Sequence, residues 1–79
     1  EQHLCLSPTG KVYVTDPEGG QILVYDKQGN YLNTLSKKGP IRAPVEFPIG
    51  LAFHPLSKDL IITDLRLNRM VKIPANVLP

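Results

Sequence analysis

The feature that most constrains this chain is that it is written twice. Leu4-Cys5-Leu6-Ser7-Pro8 is followed by Lys11-Val12-Tyr13-Val14-Thr15-Asp16 and then by Gln21-Ile22-Leu23-Val24-Tyr25. Leu51-Ala52-Phe53-His54-Pro55 is followed by Asp59-Leu60-Ile61-Ile62-Thr63-Asp64 and then by Arg69-Met70-Val71-Lys72-Ile73. The offset is about 47 residues up to the proline and about 48 beyond it, which places a one-residue insertion in the first turn of the second copy. A fixed period of this length belongs to repeat architectures, in which one supersecondary unit recurs and each copy buries a face against its neighbour.

The unit is built of strands. Val12, Val14, Ile22, Val24 and Tyr25 lie in short β-branched and aromatic runs bounded by turn residues, and no window carries a helical stripe. Lys11 to Asp16 and Asp59 to Asp64 read as strands buried on both faces, on which basis Val14→Asp is expected to bury an unpaired charge and unfold the chain. Ser7-Pro8-Thr9-Gly10 is a turn, with His54 to Lys58 as its counterpart. Asp26-Lys27-Gln28-Gly29-Asn30 is a tight hairpin in which Gly29 takes a positive φ. One period is therefore four antiparallel strands at about 3 to 7, 11 to 16, 21 to 26 and 30 to 36, and the second copy repeats three of them at about 49 to 54, 59 to 64 and 69 to 73. The expected class is all-β, and four-stranded meanders at this spacing are the blades of a β-propeller. Residues 1–79 form one segment, with a first blade at about 3–36, a connection at about 37–48 and an incomplete second blade at about 49–79.

Lys11-Val12-Tyr13-Val14-Thr15-Asp16 with Gln21-Ile22-Leu23-Val24-Tyr25-Asp26 and Gly29 resembles an NHL repeat. Phe47-Pro48-Ile49-Gly50-Leu51-Ala52-Phe53 with Ile61-Ile62-Thr63-Asp64 and Asn68-Arg69-Met70-Val71-Lys72-Ile73 does so again. The second stretch has the family's Asn-Arg-apolar signature, which the first replaces with Gly20-Gln21-Ile22. The resemblance runs from about Leu4 to Ile73. It implies a propeller used as a protein-binding scaffold, as an RNA-binding surface or, in some relatives, as a lyase or lactonase; the fold does not choose among them.

A closed propeller needs at least about four blades, more than this length supplies. Two sheets alone leave faces and edges bare, so the remaining blades of a longer propeller, a ring of copies or a protein partner should cover them. The incomplete second copy and the absence of an initiator methionine favour a segment of a longer propeller. Nine Lys and Arg against seven Asp and Glu give a net charge of +2, too weak for a dedicated nucleic-acid binder. The apolar runs are too short for a membrane span, no leader pattern is visible at Glu1, and nothing names a compartment. A single cysteine, Cys5, allows no internal disulfide and reads as a small buried hydrophobe.

In a propeller, the connection from 36 to 48 and the loops at 17–20 and 65–68 emerge on one face, and such loops carry function. The expected partner-binding residues are Glu18, Lys37, Lys38, Arg42, Leu65, Arg66, Leu67, Asn68 and Arg69, with Leu65, Arg66 and Leu67 as anchors. The basic members fit an acidic protein first and a nucleic-acid backbone second, because Phe47 is the only aromatic nearby. Asp16 and Asp64 recur at one repeat position. That suits carboxylates accepting from turn amides better than catalytic groups, which a protein needs once. His3 and His54 lack a recognisable third ligand, so no metal or cofactor is assigned, and no catalytic motif is present. The expected function is non-catalytic protein binding through the loop face; the alternatives are part of a metal-dependent lyase- or lactonase-like propeller and a weakly basic nucleic-acid-binding surface.

Overall fold

The computed structural model describes residues 3–79. The chain is all-β, with two antiparallel meanders laid face to face. The first holds β1 (Leu4–Leu6), β2 (Val12–Asp16), β3 (Gln21–Tyr25) and β4 (Tyr31–Ser36), extended by β5 (Ile41–Arg42). The second holds β6 (Pro48–Phe53), β7 (Leu60–Asp64) and β8 (Arg69–Ile73), followed by a single 3-10 turn at Ala75–Val77. Strand β5 departs from the expected irregular connection. It pairs parallel to β4, Leu35 with Ile41 and Ser36 with Arg42, because the chain doubles back after Gly39-Pro40.

The two meanders share one register. Leu4↔Val14, Cys5↔Tyr13 and Leu6↔Val12 in the first correspond to Leu51↔Ile62, Ala52↔Ile61 and Phe53↔Leu60 in the second. Val14↔Leu23 and Asp16↔Gln21 correspond likewise to Ile62↔Val71 and Asp64↔Arg69. Side chains repeat as well: the Thr15 hydroxyl accepts from the His3 amide at 2.8 Å, and the Thr63 hydroxyl accepts from the Gly50 amide at 2.9 Å. The inserted residue falls in the first turn. Gly10 N–H closes on Ser7 C=O three residues back, whereas Lys58 N–H closes on His54 C=O four back. Both turns end with a positive φ, 83° at Gly10 and 67° at Lys58.

Burial runs in opposite phase in the two sheets. In the first, Tyr13, Thr15, Ile22, Val24 and Leu35 are buried; in the second, it is Leu60, Ile62, Val71 and Ile73. Tyr13 and Ile22 correspond to Ile61 and Met70, which lie on the open side of the second sheet. The strands are thus covered on one face, not both as the apolar runs suggest. Because β-strand side chains alternate, each run divides its apolar residues between an inner and an outer face. Val14 is accordingly half-buried on the outer face, and the residue that occupies its place in the core is Ile62.

The sheets meet at the Tyr13–Phe53 edge-to-face pair, with ring centroids 5.0 Å apart, and Ala43 and Val45 of the connection fill the margin. Cys5 packs on this core, where burial pushes its thiol pKa up. Burial, with a smaller contribution from Cys5, pushes the Tyr13 phenol up to about 12.

Candidate functional site

The connections at one end of the sheets are drawn together by Asp64. The residue is 3% exposed, and its carboxylate accepts from the amides of Glu46 at 2.7 Å, Phe47 at 3.1 Å and Leu67 at 3.0 Å. Burial alone raises this carboxyl, but the backbone amides of Glu46, Leu67, Phe47 and Arg66 outweigh it and hold the pKa below the ordinary aspartate value. The Leu65 amide donates to Phe47 C=O at 3.0 Å, so the 65–68 loop and the start of β6 are bound to each other twice over.

Asp16 organises the equivalent turn more lightly, accepting from the Gly19 amide at 3.2 Å and from Gln21 Nε2 at 2.8 Å. Gly20 lies in the left-handed region at φ 66°, and a Cβ there would come within 3.1 Å of Glu46 C=O. Glycine therefore meets two demands at once: the turn conformation and the close approach of the turn to the connection. At the equivalent position Asn68 has φ 55°, where asparagine is the next most tolerant residue.

Glu18, Lys37, Lys38 and Arg66 come together on an open cleft of about 400 Å³, with Val45 and Glu46 among its other lining residues. Lys37 Nζ lies 2.6 Å from Glu46 Oε2, the only ion pair among the described residues; the Arg66 guanidinium lies 5.5 Å from the Phe47 ring centroid. The exposed ion pair contributes little to stability, but with the stacked arginine it orients two cations at the cleft. Arg42 borders an adjoining groove of about 270 Å³ that shares Lys37. Leu65, Asn68 and Arg69 belong to a separate groove of about 420 Å³ on the outer side of the second sheet, beside Met70.

The two leucines of the 65–68 loop divide. Leu65 is 67% exposed, while Leu67 packs on the core and spends its apolar surface there. Sequence reasoning missed Glu46, which neutralises Lys37; an acidic residue in a lysine-bearing connection is the signal that would have found it.

His54 Nδ1 accepts from the amides of Leu56 and Ser57, so it organises its own turn. Among the described residues, no three of His, Cys, Asp and Glu gather as a metal-binding group, and no helix is long and apolar enough to cross a membrane. Comparison with protein-family models, curated proteins and solved structures returns no match.

Proposed function

We propose that the chain is a segment of an NHL-like β-propeller, its two sheets being successive blades, and that it serves as a non-catalytic scaffold binding an acidic stretch of a partner protein at the loop face. The observation that carries the binding reading is the convergence of Lys37, Lys38 and Arg66, from two different connections, on one cleft that Glu18 borders. Lys38 has no carboxylate partner among the described residues and, like Arg66, is exposed, while Lys37 and Arg66 are held by Glu46 and Phe47. Pre-oriented cations lose less freedom when they meet a carboxylate, and arginine does so in two-pronged geometry. The blade reading is supported by the shared register and by sheets that bury opposite faces, as stacked blades must. Glu18 and Glu46 beside the cations, and a Phe47 ring already covered by Arg66, favour a protein over single-stranded nucleic acid.

The test is the fluorescence anisotropy of a labelled poly-glutamate peptide titrated with wild type, Arg66→Glu, Lys38→Glu and the control Lys27→Glu, which lies in the hairpin at the opposite end. The expected result is a loss of about tenfold or more in affinity for each cleft variant, with the control and the unfolding midpoints unchanged. Equal losses in the control would reduce the binding to diffuse charge. A labelled single-stranded oligonucleotide that binds more tightly than the peptide, with affinity falling steeply in salt, would move the assignment to nucleic acid.

A further inference from the structure

Of the three cations on the loop cleft, Lys37 alone is engaged by a carboxylate among the described residues. Its Nζ lies 2.6 Å from Glu46 Oε2, although both side chains stay partly open to water, 56% for the lysine and 32% for the glutamate. Lys38 is exposed without such a partner, and the Arg66 guanidinium lies over the Phe47 ring. The cleft thus contains, built in, the contact that a ligand carboxylate would make with Lys37.

Glu46 is held at this place by its main chain. Its amide donates to Asp64 Oδ2 at 2.7 Å, and the amide of Phe47 donates to the same oxygen at 3.1 Å. Val45, on the other side, is buried in the core, and Gly20 sits so close to the Glu46 carbonyl that a Cβ at position 20 would lie 3.1 Å from it. The Glu46 side chain can turn, but its backbone stays at the cleft. Lys37 is tethered as well, because Ser36 ends β4 and its carbonyl accepts from the Ala43 amide at 2.9 Å, which closes the connection on itself. Opposite charges tethered this closely meet at an effective concentration of about millimolar or higher, so an external carboxylate has to compete with an internal one.

We infer that Glu46 is an intramolecular competitor of the acidic partner, occupying Lys37 in the free protein and giving it up when a ligand carboxylate takes the ammonium. The inference rests on the proposed binding of an acidic stretch at this cleft and names the residue that limits its strength. An exposed ion pair is only modestly favoured over its separated state, so the pair exchanges readily. The apparent affinity is then scaled by the fraction of molecules in which Lys37 is released. Glutamine at position 46 keeps the side-chain length and an oxygen that accepts from Lys37, but removes the competing charge. Glu18 supplies the control: it borders the same cleft, is exposed and pairs with no cation among the described residues. Neutralising either glutamate relieves general repulsion of an acidic ligand, whereas neutralising Glu46 also frees Lys37.

The experiment is the anisotropy titration of the labelled poly-glutamate peptide with wild type, Glu46→Gln, Glu18→Gln, Lys37→Gln and the double variant Lys37→Gln/Glu46→Gln, with urea midpoints checking that each keeps its fold. Glu46→Gln should bind about three- to fivefold more tightly than wild type, and Glu18→Gln less than about twofold more tightly. In the Lys37→Gln background, Glu46→Gln should gain no more than Glu18→Gln gains in wild type, because no ammonium is left to release. A Glu46→Gln variant that binds no tighter than Glu18→Gln, or whose full gain persists without Lys37, would overturn the inference while the cleft reading stands on the losses in Arg66→Glu and Lys38→Glu. Peptide binding that ignores Arg66→Glu and Lys38→Glu would overturn both.

Discussion

Replacing Asp64 with alanine should cost this protein several times more stability than the same change at Asp16, although both aspartates occupy one repeat position. Asp64 is buried and accepts from three backbone amides, which belong to the connection and to the 65–68 loop. A hydrogen bond to a charged group contributes a net of about 1.5–3 kcal/mol. The sum over three amides is reduced because removing the carboxylate also removes its desolvation cost, and because water can reach the half-buried Glu46 and Phe47. About 3 kcal/mol remains, near the upper end for a single substitution. Asp16 is less buried and accepts from one amide and one side-chain amide, so its loss should cost about 0.5–1 kcal/mol.

The assay is urea unfolding followed by circular dichroism and tyrosine fluorescence, since the chain has three tyrosines and no tryptophan. With a slope of about 1–1.5 kcal/mol/M for a small domain, Asp64→Ala should lower the midpoint by about 2–3 M and Asp16→Ala by less than about 1 M. The pH dependence should follow. The folded carboxyl of Asp64 is depressed, so the unfolded chain binds more protons as pH falls. Its stabilisation is complete above the ordinary aspartate value, near pH 4, and is lost as pH falls through the lower folded value. Asp64→Ala should therefore flatten the acid limb of stability against pH. Equal midpoint shifts for the two variants, or an unchanged acid limb, would show that the Asp64 carboxylate does not hold the two connections together.

Three further substitutions probe the core and its boundary. Tyr13→Phe removes a hydroxyl that is buried without a protein hydrogen-bond partner while keeping the ring against Phe53, so the unfolding free energy from urea titration should hold or rise, by at most about 1 kcal/mol; a clear loss would show that the hydroxyl is partnered. Ile62→Ala empties a fully buried site and should cost about 2–5 kcal/mol, whereas Val14→Ala, at the equivalent place on the half-exposed outer face, should cost about 1 kcal/mol or less in dilute solution. Equal costs would contradict the opposite phase of burial.

Much of this arrangement was legible in the residues. The repeat at Leu4 and Leu51 announced two sheets, the β-branched runs placed the strands, and the one-residue offset located the longer turn at His54 to Lys58 before its hydrogen bond was seen. The phase of burial was not legible. Val12-Tyr13-Val14 and Leu60-Ile61-Ile62 are apolar throughout, and a run without alternation does not say which face turns inward. Strand β5 escaped because two residues between Pro40 and Pro44 carry no periodicity and acquire their state from Leu35 and Ser36 alongside. The left-handed Lys58 and Asn68 are not glycines and gave no local signal, although aligning the copies sets them against Gly10 and Gly20.

At the site, the propeller reading expected one loop face for all nine residues, and of these Glu18, Lys37, Lys38 and Arg66 line one cleft. The division of Leu65 from Leu67 depends on how the turn after Asp64 is wound, which the Asp64 carboxylate decides by binding the Leu67 amide. Arg42 and Arg69 lie on neighbouring grooves because β5 carries the first aside and the second begins β8 opposite Asp64, at the end of the second sheet.

That the two copies of the repeat pack through opposite faces is tested by the pattern of proton–proton nuclear Overhauser contacts in the monomer at low concentration. The expected pattern has contacts between the Tyr13 and Phe53 rings, and none from the Val14 or Leu23 methyl groups to any residue of β6, β7 or β8. Contacts from Val14 or Leu23 to Ile62 or Val71, with none between Tyr13 and Phe53, would mean that equivalent faces meet, and would contradict it.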